Sequence, residues 1–272
     1  MLALSPDPPV PAAWALNIWT DPRELAAETT GTAAAALRAI QRNWGYLPFD
    51  HDSRAALITA KLPPLKPKAL TFPTAAPTSH LGAWTMLSHD RMLVSPTQTS
   101  PFVNGEVNFV EDRVGPPSRA YLKLWEAFTL CRNWPGPGDT CLDLGASPGG
   151  WTWVLAKLGA RVTAIDKAPL HPAIAAMPGV STRQESAFAM DPNMEAPVDW
   201  LVCDVIAYPE RLLTLMRNWI ASGKAGNIIC TLKFQAATDH DSAEAFAAIE
   251  GGQVRHLFHN KHELTFTYTK AS

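Results

Sequence analysis

The segment Asp143-Leu144-Gly145-Ala146-Ser147-Pro148-Gly149-Gly150-Trp151 constrains the fold more than any other part of the chain. An apolar run, Cys141–Leu144, leads into it and a helix-compatible run, Gly150–Leu158, leads out. A glycine-rich turn between a strand and a helix lets a ligand approach the backbone closely, and the first helical N–H groups then bond its polar atoms. Such turns occur in several ligand-binding folds, so the spacing decides. Asp-Leu-Gly-x-x-Pro-Gly-Gly-Trp has neither the Gly-x-Gly-x-x-Gly of the dinucleotide fingerprint nor the Gly-Lys-Ser/Thr of a phosphate loop. The next strand ends at Ile165-Asp166-Lys167, which puts a carboxylate about twenty residues after the turn, where it can accept hydrogen bonds from the hydroxyls of a ribose.

The surrounding pattern extends this unit into a domain. Strands are predicted at Cys141–Leu144, Val162–Ile165, Val180–Arg183, Leu201–Cys203 and Asn227–Leu232, with helices at Gly150–Leu158, Glu210–Ser222 and Ser242–Glu250. Two last strands, Val254–Phe258 and Leu264–Thr269, flank the polar turn His259–Glu263. Ser118 is a good N-cap for a helix running to about Leu130, on which Tyr121, Leu122, Trp125 and Phe128 form an apolar stripe. Strand and helix alternating in this way predict an α/β fold: a Rossmann-like, mostly parallel sheet of seven strands with an antiparallel last strand and helices on both faces.

Upstream the chain is punctuated by proline. The 24 prolines cluster at Pro6–Pro11, Pro63–Pro77, Pro96–Pro101, Pro116-Pro117 and Pro135–Pro137. Before Pro63 lie a strand-like Trp14–Trp19 and an Ala-rich helix from about Gly31 to Trp44. The expected organisation is therefore a small α/β domain at 1–77, connecting strands at 78–112 with apolar pieces at Leu81–Met86, Met92–Val94 and Val107–Val110, and the main domain at 113–272.

Composition narrows the class. A 47% apolar and 18% charged chain with no long unbroken apolar run is that of a globular protein rather than a membrane-spanning one. Met1–Pro6 has no basic flank or apolar stretch of the secretory kind, so a cytoplasmic location is expected. Cys131, Cys141, Cys203 and Cys230 form no Cys-x-x-Cys pair and mostly sit in apolar runs, which predicts core thiols. A net charge of −2 offers no basic surface overall, so any nucleic-acid contact must be local.

The residues at 143–151 are similar to the Asp-Leu-Gly-Ala-x-Pro-Gly-Gly-Trp motif of the FtsJ-like ribose 2′-O-methyltransferases. The resemblance runs from about Pro116 to Thr269 and includes Pro117–Leu124, Trp200–Asp204 and Thr231–Phe234. It implies S-adenosylmethionine as cofactor, held by Gly145, Ser147, Pro148, Gly149, Gly150, Trp151, Asp166 and Asp204. It also implies a Lys-Asp-Lys-Glu tetrad, matched here by Lys123, Asp204, Lys233 and Glu263. Sheet geometry agrees, since ligands bind beyond the carboxyl ends of parallel strands, where Asp204 and Lys233 should project. A ribose hydroxyl becomes a good nucleophile only when its proton is withdrawn. Lys233 is the implied base, with Lys123 assisting or holding the ribose, Asp204 orienting Lys233 and Glu263 balancing charge.

Within the family the likeness is nearest to enzymes that methylate a cytidine ribose in large-subunit (23S) rRNA. These carry an N-terminal RNA-binding region related to THUMP domains, of which 1–77 has room only for a reduced version. Two positions depart from the pattern. Glu185-Ser186 stands where an acidic residue contacts adenine, and Ala120 replaces an expected serine, which points to weaker cofactor binding. RNA is the expected partner, with Arg38, Arg42, Arg54, Lys61, Lys66 and Lys68 as a local basic surface diluted by Asp50 and Asp52. Trp14, Trp19, Trp44 and Trp84 have the chemistry to stack on bases, though core packing is the commoner use. His240, His256, His259 and His262 lack partners at ligand spacing, so no metal is expected. The rival reading is a non-catalytic RNA-binding or ribosome-assembly factor that keeps the fold.

Overall fold

The computed structural model describes residues 12–235 and 237–271. The chain divides into two compact units: residues 1–70 with 76–108, and residues 71–75 with 109–272.

In the first unit, strands β1 (Arg23–Ala26) and β2 (Trp44–Tyr46) are interleaved with helices α1 (Thr30–Ile40) and α2 (Asp52–Thr59), and β3 (Gly82–Met86) and β4 (Arg91–Ser95) complete the unit. The sheet order is β1-β4-β3-β2, with β2 parallel to β3 and the other pairs antiparallel. Helix α1 starts at a capping box in which the Thr29 hydroxyl accepts from Thr32 N at 3.0 Å. It ends four residues before Trp44, where Gln41 turns extended at φ −161° and ψ 176°, and the Trp44 indole N–H turns back to donate to Leu37 O at 2.9 Å beside the Gln41 N–H. Ala33, Ala34, Leu37, Ala55 and Ile58 of the helices pack with Trp44, Trp84, Met86, Met92 and Val94 in one core cluster. The stretch expected as a connector therefore supplies β3 and β4, the two inner strands of this sheet. Trp14–Trp19 forms no strand; it contributes one isolated bridge, Trp19 to Gln98, and is held by Asn17, whose amide donates to Gln98 Oε1 at 2.8 Å.

The second unit contains α3 (Tyr121–Cys131), β5 (Thr140–Leu144), α4 (Gly150–Lys157), β6 (Arg161–Ile165), α5 (Pro172–Ala175), β7 (Val180–Arg183), β8 (Val198–Cys203), α6 (Pro209–Ser222), β9 (Ala225–Lys233), α7 (His240–Ala247), β10 (Gly252–Arg255) and β11 (Glu263–Thr269). Its seven-stranded sheet runs β10-β11-β9-β8-β5-β6-β7, parallel except where β11 lies antiparallel to both neighbours. This is the predicted Rossmann-like architecture, and the strand order reverses at β5, so a crevice opens between the carboxyl ends of β5 and β8. Helix α6 shows why the sheet is covered: Leu212, Leu213, Leu215, Met216 and Trp219 are buried along one stripe, each stabilising by about 1.5–3 kcal/mol. Residues 71–75 join this unit through Phe72, whose ring stacks on Trp125 at 4.9 Å. Cys141, Cys203 and Cys230 are buried as expected, whereas Cys131 is exposed at the end of α3. No helix among the described residues is long and apolar enough to cross a membrane.

Candidate active site

The turn after β5 is built around positions that only glycine tolerates. Gly145 has φ +76°, and a Cβ there would come within 2.8 Å of Val205 Cα, so the β5 turn and the segment after β8 touch backbone to backbone. At Gly150 a Cβ would lie 2.8 Å from Ser118 Oγ. The absence of a side chain at Gly150 leaves room for the Ser118 hydroxyl, and α3 begins at Tyr121 rather than at a Ser118 cap. Trp151 is buried, with its indole N–H donating to Ala120 O at 2.9 Å, which fastens the start of α3 to the start of α4.

A cavity of about 300 Å³ opens against this turn, lined by Gly145, Ser147, Pro148, Gly150, Trp151, Asp166, Asp204 and Lys233 of the expected residues. Ser118, Ala120, Ala146, Val205 and Ile206 complete it. Gly149 is not in the lining; it shapes the turn from behind, at φ +114°. The Asp166 carboxylate accepts from Ser147 N at 3.0 Å and from Ala168 N at 2.9 Å, one bond to each oxygen. Each oxygen keeps a further lone pair for a ligand hydroxyl. The volume suits a nucleoside-sized ligand, and the glycine cradle and two carboxylates fit the ribose and the cationic end of S-adenosylmethionine.

Glu185 and Ser186 are outside this lining. Glu185 Oε1 is paired with Arg183 Nε at 2.5 Å, and the Ser186 hydroxyl accepts from Phe188 N at 3.3 Å. An adjoining cavity of about 320 Å³ shares Asp166 and is lined by Arg183 and Gln184 instead. Gln184 was not singled out by the sequence, because the register of the turn after β7 cannot be read from one chain.

Lys123, Asp204, Lys233 and Glu263 converge. Lys233 and Glu263 face each other across the β9–β11 ladder, which puts their side chains on one face. Lys123 Nζ lies 3.0 Å from Asp204 Oδ1 and 2.9 Å from Glu263 Oε1, and Lys233 Nζ lies 3.0 Å from Asp204 Oδ1. Lys123 and Glu263 are buried. Lys233 also donates to the Asp204 carbonyl. Both contacts go to Asp204, and this side chain lines the cavity.

One buried cluster was invisible in sequence. Glu126, one turn after Lys123 on α3, accepts from Phe258 N at 2.8 Å, His259 N at 3.0 Å and His259 Nδ1 at 2.7 Å. It thus holds the turn before β11, and with it Glu263, against the helix that carries Lys123. Glu126→Gln places an amide N–H among three donors and is expected to lower stability by about 1–3 kcal/mol in urea unfolding. His259→Asn, which retains a donor near Nδ1, is expected to lose less.

Asp143, the next-to-last residue of β5, is wholly buried, with Oδ2 accepting from the Thr152 hydroxyl at 2.6 Å and Oδ1 without a hydrogen-bond partner. Burial pushes its carboxyl up to about 7, against the Thr152 hydrogen bond, which pulls it down. The folded protein thus binds this proton more tightly than the unfolded chain, so the group destabilises increasingly from about pH 4 to about pH 7. Asp143→Asn removes the buried charge. The melting temperature of the variant relative to the parent is expected to be higher at about pH 8 than at about pH 5.

The basic surface of the first unit is smaller than its residue count. Arg38 donates to Lys61 O at 2.6 Å, and Arg54 donates to Ala27 O at 2.6 Å and Glu28 O at 2.9 Å, so both guanidinium groups brace backbone. Lys66 and Lys68 line a cavity of about 290 Å³ in that unit. Trp44 and Trp84 are core residues. Among the described residues no group of three His, Cys, Asp or Glu side chains is placed to hold a metal ion.

Comparison with known proteins bears on the same half of the chain. Residues 116–241 match the family described as FtsJ-like methyltransferase. A protein named ribosomal RNA large subunit methyltransferase M from Halorhodospira halophila is 40% identical over 157 residues, which cover 55% of this chain and 46% of that protein. Its namesake from Laribacter hongkongensis is 37% identical over 166 residues, covering 55% and 46%. The one from Azotobacter vinelandii is 32% identical with the same coverage of each chain. The chain thus spans about half the length of these relatives. Strand order, glycine turn and sequence agree over this stretch, and residues 116–241 are similar to the FtsJ-like methyltransferase family.

Proposed function

We propose that this protein is an S-adenosylmethionine-dependent RNA ribose 2′-O-methyltransferase acting on large-subunit (23S) rRNA. The observation that carries the reading is the convergence of Lys123, Asp204, Lys233 and Glu263 beside the glycine cradle. When bound, the cofactor supplies a methyl group on a sulfonium, which already has a good leaving group. The protein's task is therefore the acceptor. Lys233, oriented by its two bonds to Asp204, takes the proton of the ribose 2′-hydroxyl at Nζ. Lys123, held between Asp204 and Glu263, fixes the position of both carboxylates and keeps the group compact. Asp166 holds the cofactor ribose, and Gln184 of the adjoining cavity is the candidate on the adenine side. The relatives' names support rRNA of the large subunit as substrate. The first unit, with Arg42, Lys66 and Lys68, is the candidate RNA-holding part.

Two measurements test the reading. Calorimetry is expected to give a cofactor dissociation constant well below millimolar, and tritiated methyl label is expected to enter large-subunit rather than small-subunit rRNA. Absence of binding at millimolar cofactor would favour a non-catalytic assembly factor.

A further inference from the structure

We propose that Ile206 and Tyr208 form a platform on which the base of the acceptor nucleotide stacks, an inference that rests on the RNA-methyltransferase reading. Ile206 is 76% exposed and Tyr208 68%. Single apolar side chains at a surface are ordinary. What sets these apart is how the segment that carries them is held and where it starts.

The segment begins at Asp204, the carboxylate that both tetrad lysines contact. Asp204 N donates to Leu144 O at 3.1 Å, tying it to β5, and Val205 rests against Gly145 where no Cβ intervenes. Ala207 is buried, and so is Pro209, which opens α6. Burial thus alternates, with Ala207 and Pro209 anchored inward and Ile206 and Tyr208 displayed outward. Two large apolar side chains are held in water by a backbone with little freedom to withdraw them. Tyr208 makes no side-chain cap to α6, so its ring is not used to build the helix.

Position identifies the occupant. Ile206 lines the same cavity as Asp204 and Lys233, so the surface runs without a break from the reacting group to this segment. Tyr208 is four residues beyond Asp204, a reach of at most about 14 Å along the chain. A ribose whose 2′-hydroxyl meets Lys233 must carry its base over the rim of that cavity. The base is a flat, apolar-faced group, and splayed bases of single-stranded RNA are received by stacking on aromatic side chains. An uncharged pair made of one aromatic ring and one branched aliphatic side chain accepts the face of a base and does not select for phosphate.

The test uses the full chain and a large-subunit rRNA transcript. A stacked base contributes about 1–3 kcal/mol, so Tyr208→Ala is expected to raise the KM for the transcript, and its dissociation constant in filter binding, by about 5-fold to 150-fold. The cofactor dissociation constant should not move. Tyr208→Phe keeps the ring and should behave as the parent, whereas Tyr208→Leu should resemble Tyr208→Ala. Transcript affinity unchanged in Tyr208→Ala overturns the platform and leaves this face to a protein partner. A loss equally large in Tyr208→Phe also overturns it, since the hydroxyl rather than the ring would then be the contact. The two readings fail separately. An active parent with an indifferent Tyr208→Ala removes only the platform. A parent that binds transcript through Tyr208 without methylating it removes the enzymatic reading and, with it, the acceptor role of the platform, leaving Tyr208 as an RNA contact alone, and a parent that neither binds nor methylates the transcript removes both readings entirely.

Discussion

Lys233→Ala is expected to lower the rate constant for methyl transfer to RNA by about 10²-fold to 10⁴-fold, the range for loss of a positioned general base. Cofactor affinity should be nearly unchanged. Lys233 lines the cavity from the end of β9, while the glycine cradle and Asp166 directly follow β5 and β6, so the two functions are carried at the ends of different strands. The variant should also fold, because Lys233 is partly exposed and its removal leaves Asp204 still paired with Lys123 at 3.0 Å. Lys233→Arg should not restore the rate, since a guanidinium cannot give up its proton at working pH and therefore offers no lone pair. Single-turnover kinetics alongside calorimetry separates these outcomes. Equal losses in cofactor binding and in rate would mean that Lys233 shapes the cavity instead of moving a proton.

Gly145→Ala should damage both halves of the site at once. A Cβ at this φ of +76° lies 2.8 Å from Val205 Cα and 2.9 Å from Val205 N, so the clash is with backbone. Neither side can yield cheaply: Gly145 N donates to Ile165 O at 2.9 Å, and Asp204 N to Leu144 O at 3.1 Å. The expected cost is about 1–3 kcal/mol of stability, with a melting temperature lower by roughly 2–12 °C. Cofactor affinity should fall by more than about tenfold, and the rate should fall with it, because a displaced Val205 carries Asp204 along. Gly138→Ala provides the comparison, having φ +98° and nothing within 4 Å of an added Cβ. It isolates the backbone cost without the collision, and its effect should be confined to stability.

The parts of this protein that the sequence makes legible are those written locally. Strands β5, β6, β8 and β9 are mostly apolar runs bounded by polar turns, and α6 carries a helical stripe, so periodicity finds them within about three residues. Lys233 and Glu263 could be joined in advance because an antiparallel last strand must begin where β9 ends. What the sequence hides is non-local. Glu126 and His259 are 133 positions apart, and nothing in either segment announces the other. Strands β3 and β4 read as a connector because their place at the centre of a sheet depends on pairing with β1 and β2, segments of four and three residues with little pattern of their own. Helix α2 escapes for the opposite reason: its apolar Ala55, Ala56, Leu57 and Ile58 are consecutive and give no helical period. The Ser118 hydroxyl sits where a Cβ at Gly150 would come within 2.8 Å of it, a relation between two residues that are ordinary when read singly.

The central claim is that the methyl group reaches a ribose oxygen through Lys233. Methylation of a 2′-hydroxyl removes the nucleophile that alkali uses to cleave the neighbouring phosphodiester, whereas methylation of a base leaves that cleavage intact. Large-subunit rRNA labelled by the protein with tritiated methyl groups should therefore release its label, after complete alkaline hydrolysis, in alkali-resistant dinucleotides, and Lys233→Ala should release none. Label recovered in mononucleotides, or in dinucleotides at the parent's level from Lys233→Ala, would contradict the account.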